Sequence, residues 1–136
     1  MIDISVSLTA RDARKDKIKG SVTVVIDVLR ATSVIITALH NGADWVLPVS
    51  RIDDAWIYKD KFSDAILGGE RDAVKIAGFD MGNSPLEYTP QKVQDRGIIL
   101  TTTNGTQALG HTREAREVLI ASFLNITTIV DHLALS

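Results

Sequence analysis

A chain of 136 residues with 45% apolar and 24% charged residues has the balance of one ordinary globular domain, which excludes extensive disorder. A formal net charge of -2 gives no reason to expect nucleic acid or an acidic membrane as a partner, since either would need a basic face. The absence of cysteine excludes disulfides, thiolate metal sites and a cysteine nucleophile. With no secretion signal and no long apolar run, we expect a soluble, cytoplasmic protein.

The patterns along the chain predict alternating strands and helices. Apolar–polar alternation indicates a half-buried strand, a short β-branched run indicates a fully buried one, and a period of 3.6 indicates a helix. The predicted strands span residues 2–7, 22–28, 45–49, 65–67, 98–101 and 118–121. The predicted helices span residues 33–40, 52–62, 104–116 and 125–135. We therefore expect a single α/β domain over residues 1–136, a layered α/β/α fold with a mostly parallel, mixed sheet.

Three segments are less regular. Residues 34–37 are β-branched and would suit a strand, but a cap at Thr32 or Ser33 and a stop at residues 41–42 favour a helix. The charged residues 11–19 indicate a solvated loop. Residues 71–90 show no periodicity, and a structureless span of that length inside a compact domain is usually functional.

Four polar clusters follow apolar runs, at residues 27–33, 68–71, 78–85 and 101–106. Because three of those runs are predicted strands, the clusters should gather at the carboxyl edge of the sheet, where open α/β sheets bind ligands. The clusters contain acids, arginines, glycines and hydroxyls. These groups suit a metal ion and an anionic substrate.

The first cluster contains Asp27 and Arg30. A carboxylate at the end of an apolar strand needs a partner, because burying a lone charge is costly. A metal ion would satisfy Asp27, and so would a helix cap or an internal ion pair with Arg30. Arg30 precedes a helix start, where it is either placed to bind an oxyanion or is an ordinary surface arginine.

The second and third clusters each have two interpretations. The glycines before Glu70 and Arg71 let the backbone approach a ligand closely, or they form a tight turn with a surface ion pair. In the third cluster, Asp80 and Asn83 present polar side chains to a ligand. Alternatively, the segment is an ordered turn in which Ser84 caps a helical turn that starts at a proline.

The fourth cluster, TTTNGT, is the most specific of the set. Hydroxyls and amides at a strand-to-helix junction form an anion-binding nest. The Asn104–Gly105 pair is also a hairpin signal, but a helical composition follows it. The glycine spacing of nucleotide-binding loops is absent from the sequence.

Together the clusters resemble the 2-phosphosulfolactate phosphatase (ComB) family. The resemblance rests on the segments DVLRATS at 27–33, GGER at 68–71, GFD at 78–80, GNSP at 82–85, TTTNGT at 101–106 and SFLN at 122–125. It implies a Mg²⁺-dependent phosphatase that hydrolyses 2-phospho-3-sulfolactate on the route to coenzyme M, with an α/β/α fold. Family members are longer, so we expect this chain to be the amino-terminal part of a larger protein. Ala73 stands where the family pattern has glycine.

The residues and the resemblance together lead to a hypothesis about roles. Asp27, Glu70 and Asp80 are expected to bind one Mg²⁺, while Arg30 and Arg71 clamp the phosphate and sulfonate groups. The expected catalytic residues are Asp27, Arg30, Glu70 and Arg71. The expected substrate-binding residues are Arg30, Thr32, Ser33, Arg71, Asn83, Ser84, Thr103, Asn104 and Thr106. Direct attack by water is favoured over a phosphoaspartate, because Leu29 stands where the haloacid-dehalogenase type has a second aspartate.

Two other functions stay open. One is a non-catalytic module that binds a phosphorylated anion without turnover, and the other is a phosphatase for a different small phosphoester. A homo-oligomer is also left open by the sequence.

Overall fold

The structure is a computed structural model that describes residues 3–135. Its strands are β1 (Val22–Ile26), β2 (Trp45–Pro48), β3 (Ile66–Arg71), β4 (Val74–Lys75), β5 (Gly97–Thr101) and β6 (Glu117–Ala121). Its α-helices are α1 (Lys15–Ile18), α2 (Ala31–His40), α3 (Ile52–Lys61), α4 (Pro90–Val93), α5 (Gly105–His111) and α6 (Ile126–Leu135). Short 3-10 turns lie at Ala10–Asp12 and Pro85–Glu87.

The strands form two sheets. The four-stranded sheet has the order β2-β5-β3-β4, in which the first three strands are parallel and β4 is antiparallel to β3. Strands β1 and β6 form a separate two-stranded parallel sheet. The predicted α/β class and the mostly parallel, mixed arrangement are confirmed, although the strands are divided between two sheets rather than joined in one.

Helices α2 and α3 pack on opposite faces of the four-stranded sheet. Ile66 of β3 belongs to the apolar cluster that contains Val34 of α2. The next residue, Leu67, belongs to a second cluster with Ala55 of α3. Because successive side chains of a strand point to opposite faces, this alternation gives the predicted α/β/α layering.

Several sequence predictions of secondary structure are wrong. Residues 3–7 form no strand, and their apolar side chains Ile4 and Val6 are exposed, since no neighbouring strand covers them. The rest of that predicted strand lies outside the described residues. The predicted loop at residues 11–19 contains α1, and residues 71–90 contain β4 and a 3-10 turn.

Strand β1 lacks the central position that its β-branched sequence predicts. Within residues 3–135 its one neighbour is β6, and the side chain of Ile26 is 65% exposed. Helix α6, which follows β6, buries none of its described side chains. This side of the molecule therefore presents apolar surface, to which Ile26, Leu29, Phe123, Leu124, Ile126 and Val130 contribute exposed side chains.

No helix within residues 3–135 has the length and the apolar character needed to cross a membrane.

Two glycines allow β3 to continue past its predicted end at Leu67. A Cβ on Gly68 would clash with the hydroxyl of Tyr88, and a Cβ on Gly69 would clash with the carbonyl oxygen of Thr101 on β5. Gly69 also has φ +136°, a conformation that side chains rarely adopt. The glycines thus bring Glu70 directly beside the end of β5.

Replacing Gly69 with alanine tests this close approach. We expect Gly69→Ala to lower the free energy of unfolding by about 3 kcal/mol or more, because the strands must move apart to admit the methyl group. The matched control is Gly20→Ala, where φ is +73° but no atom lies within 4 Å of the new Cβ. That variant should lose only about 1 kcal/mol. Urea denaturation measures both, and an equal loss in the two variants would contradict the packing described.

Candidate functional site

A pocket of about 250 Å³ lies where the loops after β1, β3 and β5 meet. Its lining residues are Asp27, Leu29, Arg30, Glu70, Asp72, Ala73, Asn83, Thr102, Thr103 and Asn104. Six of the predicted site residues are among them: Asp27, Arg30, Glu70, Asn83, Thr103 and Asn104. The carboxyl ends of strands from two different sheets therefore converge on one pocket.

The loop that leaves β1 is held by two buried hydroxyls. Thr32 Oγ1 accepts a hydrogen bond from the backbone N–H of Asp27 (2.9 Å) and donates one to its carbonyl oxygen (2.8 Å). Ser33 Oγ donates to the carbonyl oxygen of Val28 (2.8 Å). Both residues lie inside the first turn of α2, so neither is its N-cap. They shape the loop and do not line the pocket where substrate binding was predicted.

The side chains of Asp27 and Arg30 both line the pocket but do not pair with each other. Among residues 3–135, neither side chain has a hydrogen-bond or ion-pair partner; the bonds to Asp27 go to its backbone. The internal ion pair that the sequence left open is therefore not formed. The Asp27 carboxylate lies beside the start of α5, where a Cβ on Gly105 would come within 2.8 Å of Oδ2.

Glu70 is buried, with 7% exposure, and its carboxylate joins two loops. Oε1 accepts a hydrogen bond from the N–H of Thr103 (2.7 Å). Oε2 accepts from the N–H of Ala73 (2.8 Å) and from the hydroxyl of Thr103 (3.0 Å). Burial opposes ionisation, but these hydrogen bonds and the nearby Arg71 outweigh it and hold the pKa of Glu70 below its ordinary value of 4.5. The carboxylate is therefore ionised at neutral pH.

Asp72 and Ala73 form the two-residue turn between β3 and β4. Both have positive φ, +52° for Asp72 and +65° for Ala73. Such a turn favours glycine, asparagine or aspartate. The positive φ of Ala73 gives a physical reason for the glycine of the family pattern at this position.

The loop after β5 is braced by a pair of threonines. Thr106 Oγ1 donates to the carbonyl oxygen of Thr102 (2.9 Å) and accepts from its N–H (3.1 Å). In return, Thr102 Oγ1 accepts from the N–H of Thr106 (3.1 Å). Thr106 is buried and does not line the pocket, whereas Thr103 and Asn104 do.

Three more predicted residues lie outside the pocket lining. Arg71 donates hydrogen bonds to the carbonyl oxygen of Ser50 (3.0 Å) and the hydroxyl of Thr101 (2.7 Å), which fixes its guanidinium beside the strand end. Ser84 precedes the 3-10 turn in the N-cap position but makes no side-chain cap. Asp80 is exposed, and its Oδ2 accepts the N–H of Leu67 (2.8 Å).

The predicted cluster of three carboxylates is not formed. Within residues 3–135 no group of three or more His, Cys, Asp or Glu side chains could hold a metal ion. Asp27 and Glu70 share the pocket, but Asp80 bonds to the backbone of β3 instead. A loop carboxylate can serve either a ligand or a backbone N–H, and the sequence does not distinguish the two.

Sequence reasoning missed four lining residues: Leu29, Asp72, Ala73 and Thr102. Leu29 and Thr102 belong to the predicted clusters but were given no binding role. Asp72 and Ala73 reach the pocket because β3 turns back into β4, and a two-residue strand leaves no periodic signal. Because this positive-φ turn contains no glycine, the sequence gives no turn signal for the hairpin.

A larger depression of about 540 Å³ lies elsewhere, lined by Lys15, Ile18, Ser50, Gln107, Gly110, His111, Arg113 and Glu114. None of the predicted site residues contributes to it. The smaller pocket is therefore the one that the sequence clusters indicate.

The fold and the pocket define an α/β protein whose strand ends gather carboxylates, hydroxyls and one arginine. The chain belongs to the 2-phosphosulfolactate phosphatase family, whose model matches residues 7–136.

Curated relatives carry the name probable 2-phosphosulfolactate phosphatase. The protein of Clostridium novyi (strain NT) is 48% identical over 129 residues, covering 94% of this chain and 55% of the relative. That of Clostridium beijerinckii is 46% identical over 132 residues, covering 96% and 56%. That of Thermotoga petrophila is 52% identical over 110 residues, covering 81% and 47%. The chain spans about half the length of the curated relatives it matches.

The hydrogen bonds of Glu70 predict a pH-dependent contribution to stability. Because its folded-state pKa lies below 4.5, the contribution is present above that pH and is lost as the pH falls through the folded value. Glu70→Gln should therefore lower the free energy of unfolding by about 1–3 kcal/mol at pH 7, and the difference from the parent should shrink below pH 4.5.

Denaturant titrations at several pH values measure this difference. Glu114→Gln is the matched control, because Glu114 is exposed and should change stability by no more than about 0.5 kcal/mol. A loss in Glu70→Gln that stays constant from pH 7 to pH 3 would contradict the role of the ionised carboxylate.

Proposed function

We propose that this pocket binds a small phosphorylated anion with Mg²⁺ and hydrolyses its phosphate ester, with 2-phosphosulfolactate as the substrate. The proposal is carried by the convergence of Asp27, Glu70 and Asn83 with Arg30 in one pocket. Family membership and the names of the relatives support phosphate-ester hydrolysis.

The residues of the pocket fit Mg²⁺. This ion prefers oxygen ligands, keeps several waters and is usually bound by one or two carboxylates together with substrate phosphates. It therefore does not need the cluster of three carboxylates. Asp27 is the first candidate ligand, because its carboxylate oxygens have no partner among residues 3–135. Asn83 adds a buried oxygen, Oδ1, which also lacks a partner within that range.

The remaining side chains have roles that follow from their chemistry. Arg30 presents its guanidinium to the pocket, where forked N–H donors suit the oxygens of a phosphate group. The side-chain amide of Asn104 can donate to another oxygen of the substrate, whereas both donors of Thr103 are already given to Glu70. Bound Mg²⁺ would supply charge neutralisation at the phosphoryl group and a more acidic water. Direct attack by water remains favoured, because Leu29 cannot act as the second acid of a phosphoaspartate mechanism.

A second candidate is a phosphatase for a smaller or less charged phosphoester. Among the lining residues Arg30 is the one cationic side chain, since Arg71 is bonded to Ser50 and Thr101. A sulfonate group beside the phosphate would therefore have no second arginine in the described pocket. This observation is the support for the second candidate.

Phosphate release tests the proposal. The chain is incubated with 2-phosphosulfolactate and, separately, with 2-phospholactate, in the presence of Mg²⁺ and then with a chelator. We expect Mg²⁺-dependent release from phosphosulfolactate, faster than from phospholactate. Asp27→Asn should reduce the rate by about a hundredfold or more, because a charged group at the reacting centre is lost.

Asp53→Asn is the matched control, since Asp53 is an exposed carboxylate on α3 and should leave the rate unchanged. Equal rates on the two esters would favour the second candidate. Calorimetric binding of phosphosulfolactate without any release would support a non-catalytic anion-binding module and contradict hydrolysis. An Asp27→Asn rate equal to the parent rate would contradict the assigned role of Asp27.

A further inference from the structure

Three carboxylates line the pocket, from Asp27, Glu70 and Asp72, and those of Asp27 and Glu70 are in different bonding states. Glu70 accepts three hydrogen bonds, from Thr103 N–H, Thr103 Oγ1–H and Ala73 N–H. A carboxylate offers about four lone-pair sites, so most of its capacity is used. The carboxylate of Asp27 accepts none from residues 3–135. The free acceptor capacity in the pocket therefore belongs to Asp27 rather than Glu70.

The backbone places Asn83 next to Glu70. Met81 forms a parallel bridge with Gly68, with its N–H donating to Leu67 O (3.0 Å) and its carbonyl oxygen accepting from Gly69 N–H (3.1 Å). Asn83 lies two residues after Met81, and Glu70 lies two residues after Gly68. The two segments run in parallel at the bridge, so this register takes both residues toward the same end of β3. Both residues line the same pocket.

Gly82, the residue before Asn83, is held through both its N–H and its carbonyl oxygen. The N–H of Gly82 donates to Glu87 Oε2 (2.9 Å), and its carbonyl oxygen accepts the hydroxyl proton of Tyr88 (2.7 Å). Tyr88 is fully buried, and burial raises the pKa of its phenol, so it stays a hydrogen-bond donor. This clamp fixes the backbone from which the Asn83 side chain projects.

Asn83 is only 8% exposed, and its Oδ1 is buried without a hydrogen-bond partner among residues 3–135. A buried acceptor without a donor costs about 1–3 kcal/mol. A sulfonate and a fully ionised phosphate ester have no proton to offer it. A divalent cation satisfies such an oxygen and also suits the carboxylate of Asp27, which lines the same pocket.

We infer that Asp27 and Asn83 are the protein ligands of the divalent cation, and that Glu70 is a positioning residue which orders Thr103 and the 72–73 turn. This inference rests on the proposed function and assigns the cation site within it. It replaces Asp80 with Asn83 and moves Glu70 from ligand to support.

Mn²⁺ binding without substrate tests the inference. The full chain is titrated with Mn²⁺, and free Mn²⁺ is followed by electron paramagnetic resonance. Asp27→Asn and Asn83→Leu should each weaken binding by about tenfold or more. Asn83→Asp keeps an oxygen ligand and should bind Mn²⁺ at least as tightly as the parent. The matched control Asp53→Asn, with the same change in charge outside the pocket, should bind as the parent does.

Glu70→Gln separates positioning from ligation. It removes a nearby negative charge but no metal ligand, so Mn²⁺ affinity should fall by no more than about fivefold. The affinity of the Mn²⁺-loaded variant for inorganic phosphate should fall further, because the Thr103 loop loses its anchor. A residue that merely stabilised the fold would lower the unfolding midpoint and leave the phosphate affinity of the folded protein unchanged.

The outcomes distinguish this inference from the proposed function. A parent chain that binds no Mn²⁺ at millimolar concentration contradicts both. Parent-like Mn²⁺ affinity in Asn83→Leu overturns the inference alone and leaves a metal-dependent phosphatase with other ligands. A Glu70→Gln variant that loses as much Mn²⁺ affinity as Asp27→Asn overturns the positioning role and makes Glu70 a ligand.

Discussion

The buried carboxylate of Glu70 is the interaction on which the pocket depends. It sits at the end of β3 and binds the N–H of Ala73 in the hairpin turn and the N–H and hydroxyl of Thr103 after β5. One ionised group thus fixes two loops that are distant in sequence. Such hydrogen bonds to a charged acceptor are about twice as strong as neutral ones, so the two loops are held in one arrangement.

The close contact of β3 with β5 is the geometric condition for that carboxylate. Gly69 has no side chain to collide with the Thr101 carbonyl, and Gly68 leaves room for Tyr88. Gly105 plays a similar part on the other side, where it lets the Asp27 carboxylate approach the start of α5. Because glycine has no side chain, these positions allow the ends of the two separate sheets to lie close together. The polar groups of the pocket then line one volume.

The sequence predicts the strands and helices well where apolar periodicity is strong, as in α3 and β5. It also predicts that the ends of β1, β3 and β5 meet, because parallel strands place their carboxyl ends on one side. The sequence does not predict which group a polar side chain will bond to. Thr32, Thr106 and Asp80 all belong to polar clusters, yet each bonds to nearby backbone rather than lining the pocket. Residue type alone does not determine whether a hydroxyl or carboxylate faces a ligand or a backbone group.

The most direct measurement is the location of a bound cation. In ¹⁵N-labelled protein, Mn²⁺ added with inorganic phosphate broadens amide signals close to it. If the pocket is the cation site, broadening should begin at residues 27–30, 83 and 102–104. Broadening centred on the separate depression around His111 and Arg113, with the signals of Asp27 and Asn83 unchanged, would contradict it.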